Sequence, residues 1–134
     1  MLSGAVYALL VATRSAGVNM SDAIDEEDVS DFVLRFYQLV LKDGLLGPMF
    51  RASVQDLEEH RAAVEDFWSG ILLGTRRYHD DVFRHHAHLV FRKAHFDRWL
   101  AALTQASGEM LPEWAAQKVL GRAAAMAERL DIKD

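Results

Sequence analysis

The sequence predicts an all-α fold, and three observations support that prediction. Apolar residues recur at three- and four-residue spacing in several segments, which is the spacing of one helix face, beginning with the series Val29, Phe32, Val33, Phe36 and Val40. The two prolines, Pro48 and Pro112, both fall between such segments. No stretch alternates apolar and polar residues for long enough to predict a strand.

Capping signals divide the first half of this pattern into two helices. Asp25 is the expected N-cap of the first helix, since its carboxylate can accept from first-turn N–H groups, and Gly44 is its expected end. Residues 46–50 are expected to form a turn. Ser53 is the expected cap of a second helix, which ends at Gly74 and carries His60 within its apolar face.

Two further helices are predicted in the second half. Residues 75–94 are expected to be irregular, and a third helix through Phe96 and Trp99 is expected to end near Gly108. The fourth is expected to start at Pro112, because proline suits the first helical position. Gly121 within it is expected to permit a close helix crossing.

Length and composition limit the organisation of the chain. The 134 residues are expected to form one domain over residues 25–134, after a loose tail at residues 1–24. The apolar run at residues 5–12 is too short to span a bilayer and lacks a preceding positive charge, so neither membrane insertion nor secretion is expected.

Charge and cysteine content exclude several classes of function. The net charge is −5 with no dense basic stretch, so no nucleic-acid partner is expected. The absence of cysteine excludes disulfides, cysteine nucleophiles and thiolate metal sites. It also suits a reducing compartment, and we expect the protein to be cytoplasmic.

Two groups of polar residues are candidates for chemistry. His60 and Tyr37 both lie on or near apolar helix faces, where they could donate hydrogen bonds to one small polar ligand or could be ordinary core residues with partners. One histidine of the run at residues 84–88 could be an axial metal ligand, or the run could be a solvated loop.

Other metal and nucleophile chemistry lacks its motifs. The sequence contains no His-Glu-x-x-His, glycine-rich phosphate loop or Gly-x-Ser-x-Gly. A carboxylate-bridged di-iron site needs glutamate three residues before histidine, and Leu57 stands in that place before His60. The many aromatic residues fit either a plain core or a flat apolar cofactor between helices.

The ordered residues as a set resemble the group III truncated haemoglobins. The resemblance covers residues 25–130 and rests on Phe36-Tyr37, residues 46–50 (Leu-Gly-Pro-Met-Phe), His60, Val64, Phe67-Trp68, Leu73-Gly74, Tyr78, His86 and residues 95–100 (His-Phe-Asp-Arg-Trp-Leu). It implies a shortened globin fold, in which two helices cross over two around haem b.

The resemblance also implies roles for individual residues. The proximal histidine of the family follows the loop tyrosine by about eight residues, which selects His86 as the iron ligand. His85 is the alternative, because residues 89–93 lack the prolines that the family often has there. On the ligand side, the resemblance implies that Tyr37 donates a hydrogen bond to the ligand, that His60 faces the iron and that Trp99 lines the ligand pocket. Phe50 is implied to pack on the haem face, and Val64 and Phe67 to form the distal wall. Tyr78, Arg77 or Arg92 would contact the haem propionates.

Three functions follow as alternatives. The first is a haem protein that reversibly binds oxygen, nitric oxide or a similar diatomic ligand. The second is a haem redox enzyme acting on peroxide or nitric oxide, with electrons from a reductase partner. The third is a haem-free helical interaction module. Within the first, His60 either leaves the sixth iron position open or occupies it.

Overall fold

The computed structural model describes residues 22–79 and 92–129, and the backbone of residue 91 and of residues 132–133. The secondary-structure elements in these ranges are α1 (Glu26–Lys42), α2 (Leu46–Ser53), α3 (Leu57–Leu73), β1 (Phe91–Arg92), α4 (Lys93–Met110), α5 (Glu113–Arg129) and β2 (Ile132–Lys133). β1 and β2 form a two-residue parallel pair, with Phe91 opposite Ile132. The predicted all-α class is confirmed. The predicted tail at residues 1–24 lies almost wholly outside the described residues, and the domain boundary at residue 25 stays a prediction.

Helix α1 is the centre of the described structure. Asp25 caps it as predicted, since its carboxylate accepts from the N–H of Asp28 at 3.0 Å and Asp28 returns the bond at 2.9 Å. One face of α1 packs against α2, α3 and α4. That face is buried along its whole length and consists of Val29, Phe32, Val33, Phe36, Tyr37 and Val40.

Helix α4 runs antiparallel to α1, and an ion pair marks each end of their contact. Arg98 reaches Asp43 at 2.8 Å, just beyond the end of α1, and Arg35 reaches Glu109 at 3.0 Å nearer its beginning. α5 packs against α3 and α4. Within the described ranges, no helix is both long enough and apolar enough to cross a bilayer.

The expected turn at residues 46–50 is wrong, because these residues begin helix α2. Pro48 lies in the first turn of α2, where an N–H would have no helical partner and proline is tolerated. The carboxylate of Asp43 accepts from the N–H groups of Leu45 and Leu46, both at 2.8 Å, and so caps the new helix. α1 accordingly ends at Lys42, two residues before the expected Gly44.

Of the two predicted caps of α3, the one at its end is confirmed and the one at its start is wrong. Ser53 is the last residue of α2, and Asp56 is the N-cap of α3, accepting from the N–H of Glu59 at 3.0 Å. Both residue types are good N-caps, so local sequence does not separate them. Gly74 ends α3 as predicted, with φ 75° in the left-handed region that favours glycine.

The later helices differ from expectation at their ends. α4 begins at Lys93 and continues past Gly108 to Met110, because extended backbone is imposed only at the residue before Pro112. α5 begins one residue after Pro112, whose carbonyl accepts from the N–H of Ala116. The expected close crossing at Gly121 is wrong, since an added Cβ there would meet nothing within 4 Å.

We predict that Asp43→Ala lowers the free energy of unfolding by about 0.5–2 kcal/mol, the usual effect of losing an N-cap. Arg98→Ala removes only a partly exposed ion pair and should cost less than about 1 kcal/mol. Urea denaturation of both variants at neutral pH checks this difference. Equal costs would show that the ion pair, not the cap, is the larger contribution.

The Asp43 effect should depend on pH in a defined direction. Burial raises the pKa of this carboxyl, but hydrogen bonds from Leu46, Arg98 and Leu45 outweigh it and leave the pKa below its usual value. The ionised form is therefore the one that stabilises the fold. Its contribution should be complete above about pH 4, the ordinary aspartate pKa, and be lost as the pH falls through the lower folded value.

Candidate functional site

A hydrogen-bonded pair of polar side chains, Tyr37 of α1 and His60 of α3, lies where the two helices meet. The Tyr37 hydroxyl contacts Nδ1 of the His60 imidazole. Tyr37 is only 4% exposed, and His60 is half-buried in the first turn of α3. The structure thus brings together the two polar residues that the sequence places on separate apolar faces.

Phe50 of α2 packs against both members of this pair. Its ring meets the Tyr37 ring edge-on at 5.5 Å between centroids and the His60 ring edge-on at 5.2 Å. Edge-on contacts of this kind are favourable ring arrangements that also fix the orientation of each ring. Because Asp43 sets where α2 begins, the cap described above also positions Phe50.

The electrostatics of the pair keep the phenol neutral. Burial raises the pKa of the Tyr37 hydroxyl well above its usual value, opposed by the nearby Arg61 guanidinium and assisted by Glu58. Arg61 is itself held between Glu58, at 2.6 Å, and Glu65, at 2.8 Å. The Tyr37 hydroxyl therefore keeps its hydrogen at neutral pH and is available as a donor.

Apolar side chains of α3 continue the surface beyond the polar pair. Val64 and Phe67 are half-buried and pack against the core. The Phe67 ring meets Trp68 edge-on at 5.0 Å and Tyr78 edge-on at 5.3 Å. Tyr78, which follows α3, is thereby held against the same helix.

Trp99 of α4 lies beside α1. Its ring meets Phe36, the residue before Tyr37, edge-on at 6.2 Å, and Phe96 at 5.7 Å. Trp99 is half-buried. Among the described residues, the Trp99 indole N–H has no hydrogen-bond acceptor.

Arg77 is engaged by protein carboxylates. Its guanidinium pairs with Asp66 at 3.0 Å and with Glu26, and donates to the Ser69 hydroxyl at 3.0 Å. The Ser69 hydroxyl also bonds that of Thr75 at 2.7 Å. This network ties the segment after α3 to α1 and α3. Sequence analysis missed it, and the signal that could have shown it is the small polar Ser69 within the buried part of α3.

The other sequence candidates lie apart from the polar pair or outside the description. Arg92 precedes α4, and its N–H donates to Nδ1 of His95 at 3.1 Å, so His95 caps that helix. His79 is exposed. The predicted axial ligand His86 and its alternative His85 lie outside the described residues.

Comparison with known proteins identifies the family. The bacterial-like globin family matches residues 19–130 of the sequence. The chain belongs to this family. The group III resemblance is confirmed by the group 3 truncated hemoglobin of Campylobacter jejuni, which is 29% identical over 111 residues covering 79% of this chain and 87% of the relative.

Solved globin structures confirm the fold of this bacterial-like globin. The crystal structure of the Campylobacter jejuni group III protein matches with a TM-score of 0.73 at 29% identity, covering 81% of this chain and 89% of that one. A truncated oxygen-avid haemoglobin from Bacillus subtilis matches with a TM-score of 0.69 at 25% identity, covering 80% and 93%. A thermostable hemoglobin from Thermobifida fusca has the same fold, with a TM-score of 0.69 at 23% identity, covering 81% and 92%.

Membership of the globin family makes this chain a haem-binding protein that takes oxygen or another small ligand, with haem b as its cofactor. The chemistry of the described site suits such a group. Phe50, Val64, Phe67 and Trp99 offer partly exposed apolar surface, which a flat macrocycle would cover. Tyr37 and His60 add hydrogen-bonding groups beside Phe50.

Proposed function

We propose that His86 would hold the iron of haem b, and that oxygen or nitric oxide would bind there reversibly, beside Tyr37, His60 and Trp99. The observation that carries this proposal is the Tyr37–His60 pair under the Phe50 ring. A polar pair surrounded by aromatic and aliphatic side chains is suited to a small ligand that is itself weakly polar.

When bound, haem b supplies an iron atom with a coordination position open to a diatomic ligand. The residues of this chain supply the surroundings. Phe50, Val64 and Phe67 exclude water from the ligand side. Donors from the polar pair and from the Trp99 indole would stabilise a ligand that carries partial negative charge, and more strongly where water is excluded.

The choice of His86 depends on the chain path after α3. Tyr78 is fixed against Phe67, and Arg77 beside it is fixed by Asp66 and Glu26. The segment that leads towards residue 86 therefore starts from an anchored point. We also propose Tyr78 as a haem contact. Because protein carboxylates already engage Arg77, it is a weaker propionate partner than Tyr78.

We further propose that the protein works in the cytoplasm with an electron-donating reductase as partner. Oxygen binds ferrous haem, so iron that has oxidised must be reduced again before it binds oxygen. The cysteine-free sequence suits a reducing compartment. Membership of the globin family supports oxygen or a similar diatomic molecule as the ligand of this protein. The peroxide or nitric oxide enzyme, on which the comparisons do not bear, stays a prediction.

His86→Ala should remove the axial ligand, so protein purified from haem-replete cells should lose most of its Soret absorbance. Added imidazole should restore that absorbance, because it can occupy the space left by the side chain. His85→Ala is the matched control and should retain the wild-type spectrum. The opposite pattern would move the ligand to His85, and retention in both variants would place it elsewhere in the chain.

Trp99→Phe should speed oxygen dissociation about tenfold, since it removes one hydrogen bond worth about 1–1.5 kcal/mol while keeping an aromatic ring against Phe36. Stopped-flow measurement of the dissociation rate checks this. Trp114→Phe is the control, because the Trp114 indole donates to the Asp22 carbonyl at 2.7 Å instead. Equal rates in the two variants would exclude Trp99 as a ligand donor.

A further inference from the structure

Gly47 lies where the short helix α2 touches the end of α1. It is buried, and a Cβ added to it would stand 2.6 Å from the Leu41 carbonyl oxygen and 3.2 Å from the carbonyl carbon. The Arg51 guanidinium, 3.0 Å from that Cβ, is the end of a flexible side chain and can move, but the backbone of α1 cannot. Any residue larger than glycine at position 47 must therefore push α2 away from α1.

A hydrogen bond holds the two helices together at this close approach. The Leu41 carbonyl lies in the last turn of α1, where carbonyl groups have no partner within the helix. The Arg51 guanidinium donates to this carbonyl at 2.8 Å. Gly47 and Arg51 are four residues apart on α2, which places them on the same helix face. The space left by Gly47 and the bond from Arg51 thus fix α2 against one carbonyl of α1.

Phe50 is carried by the same short helix, three residues after Gly47. Because α2 has only eight residues, a displacement at Gly47 moves Phe50 as well. The Phe50 ring meets the Tyr37 ring at 5.5 Å and the His60 ring at 5.2 Å between centroids, and both contacts are edge-on. The contact between Gly47 and Leu41 therefore sets how closely Phe50 covers the polar pair.

We infer that Gly47 is a positioning residue of the ligand site: its close approach to Leu41 places α2 so that Phe50 covers the polar pair. This inference rests on the proposed function, in which Phe50 excludes water from the ligand side. A side chain at position 47 withdraws Phe50 and lets water reach the polar pair. Hydrogen bonds from the pair to a ligand are weaker in wetter surroundings, although no hydrogen-bonding group has been removed.

NMR of the diamagnetic carbon monoxide complex tests the positioning step directly. In wild type, nuclear Overhauser contacts should join the Phe50 ring to the Tyr37 ring, and Gly47→Ala should weaken or remove them. Gly44→Ala is the matched control, because a Cβ at Gly44 would meet nothing within 4 Å and its φ is not positive. Its ring contacts should equal those of wild type. Wild-type ring contacts in Gly47→Ala would overturn the inference.

Stopped-flow oxygen dissociation tests the consequence for the ligand. Gly47→Ala should release oxygen about fivefold faster, the effect of weakening one hydrogen bond, and Gly44→Ala should keep the wild-type rate. Phe50→Leu with and without Gly47→Ala should give nearly the same rate, because Gly47 acts through Phe50. Additive effects of these two substitutions would show that Gly47 acts by another route and would overturn the inference.

Arg51→Met decides the question if Gly47→Ala does not fold. It introduces no clash but removes the hydrogen bond to the Leu41 carbonyl. Oxygen dissociation should be about twofold faster, a smaller change in the same direction, and an unchanged rate would count against the inference. Unchanged contacts and rates in haem-loaded variants leave the proposed function intact, whereas wild-type protein that takes up no haem would contradict the proposed function itself.

Discussion

The buried face of α1 is the constraint on which the rest of the structure depends. Three other helices pack against that face, so their positions relative to one another are set by it. Its central residues meet aromatic rings from two partners: Phe32 meets Trp68 of α3, and Phe36 meets Trp99 of α4. Burial of such large apolar side chains is the dominant favourable contribution to folding.

The same face also creates the site, because it includes one polar residue. Tyr37 is buried with its apolar neighbours, and a buried hydroxyl must find a partner. His60 supplies that partner from α3, and Phe50 covers both from α2. The packing that stabilises the fold therefore also brings the polar pair together, and stability and ligand chemistry depend on the same contacts.

Structural features that depend on residues close together in the sequence could be predicted, whereas contacts between residues far apart in the sequence could not. The stripe of α1, the cap at Asp25 and the glycine at Gly74 follow from spacing and backbone preference, and all are present. The start of α2 was missed because Pro48 is equally typical of a turn and of a first helical turn. The Arg77–Glu26 pair joins residues far apart in sequence, so no local pattern indicates it. In the site, Tyr37 and His60 were both candidates for one ligand site, but their hydrogen bond to each other needed the three-dimensional structure.

Titration of the haem-free protein with haemin tests the central claim most directly, that these helices enclose one haem. Trp99 belongs to the proposed site and Trp68 packs against Phe67 of that site, so bound haem should quench their fluorescence. The account predicts saturable quenching with an endpoint at one haemin per chain, together with a growing Soret band. A folded protein that shows neither saturable quenching nor a Soret band would contradict it.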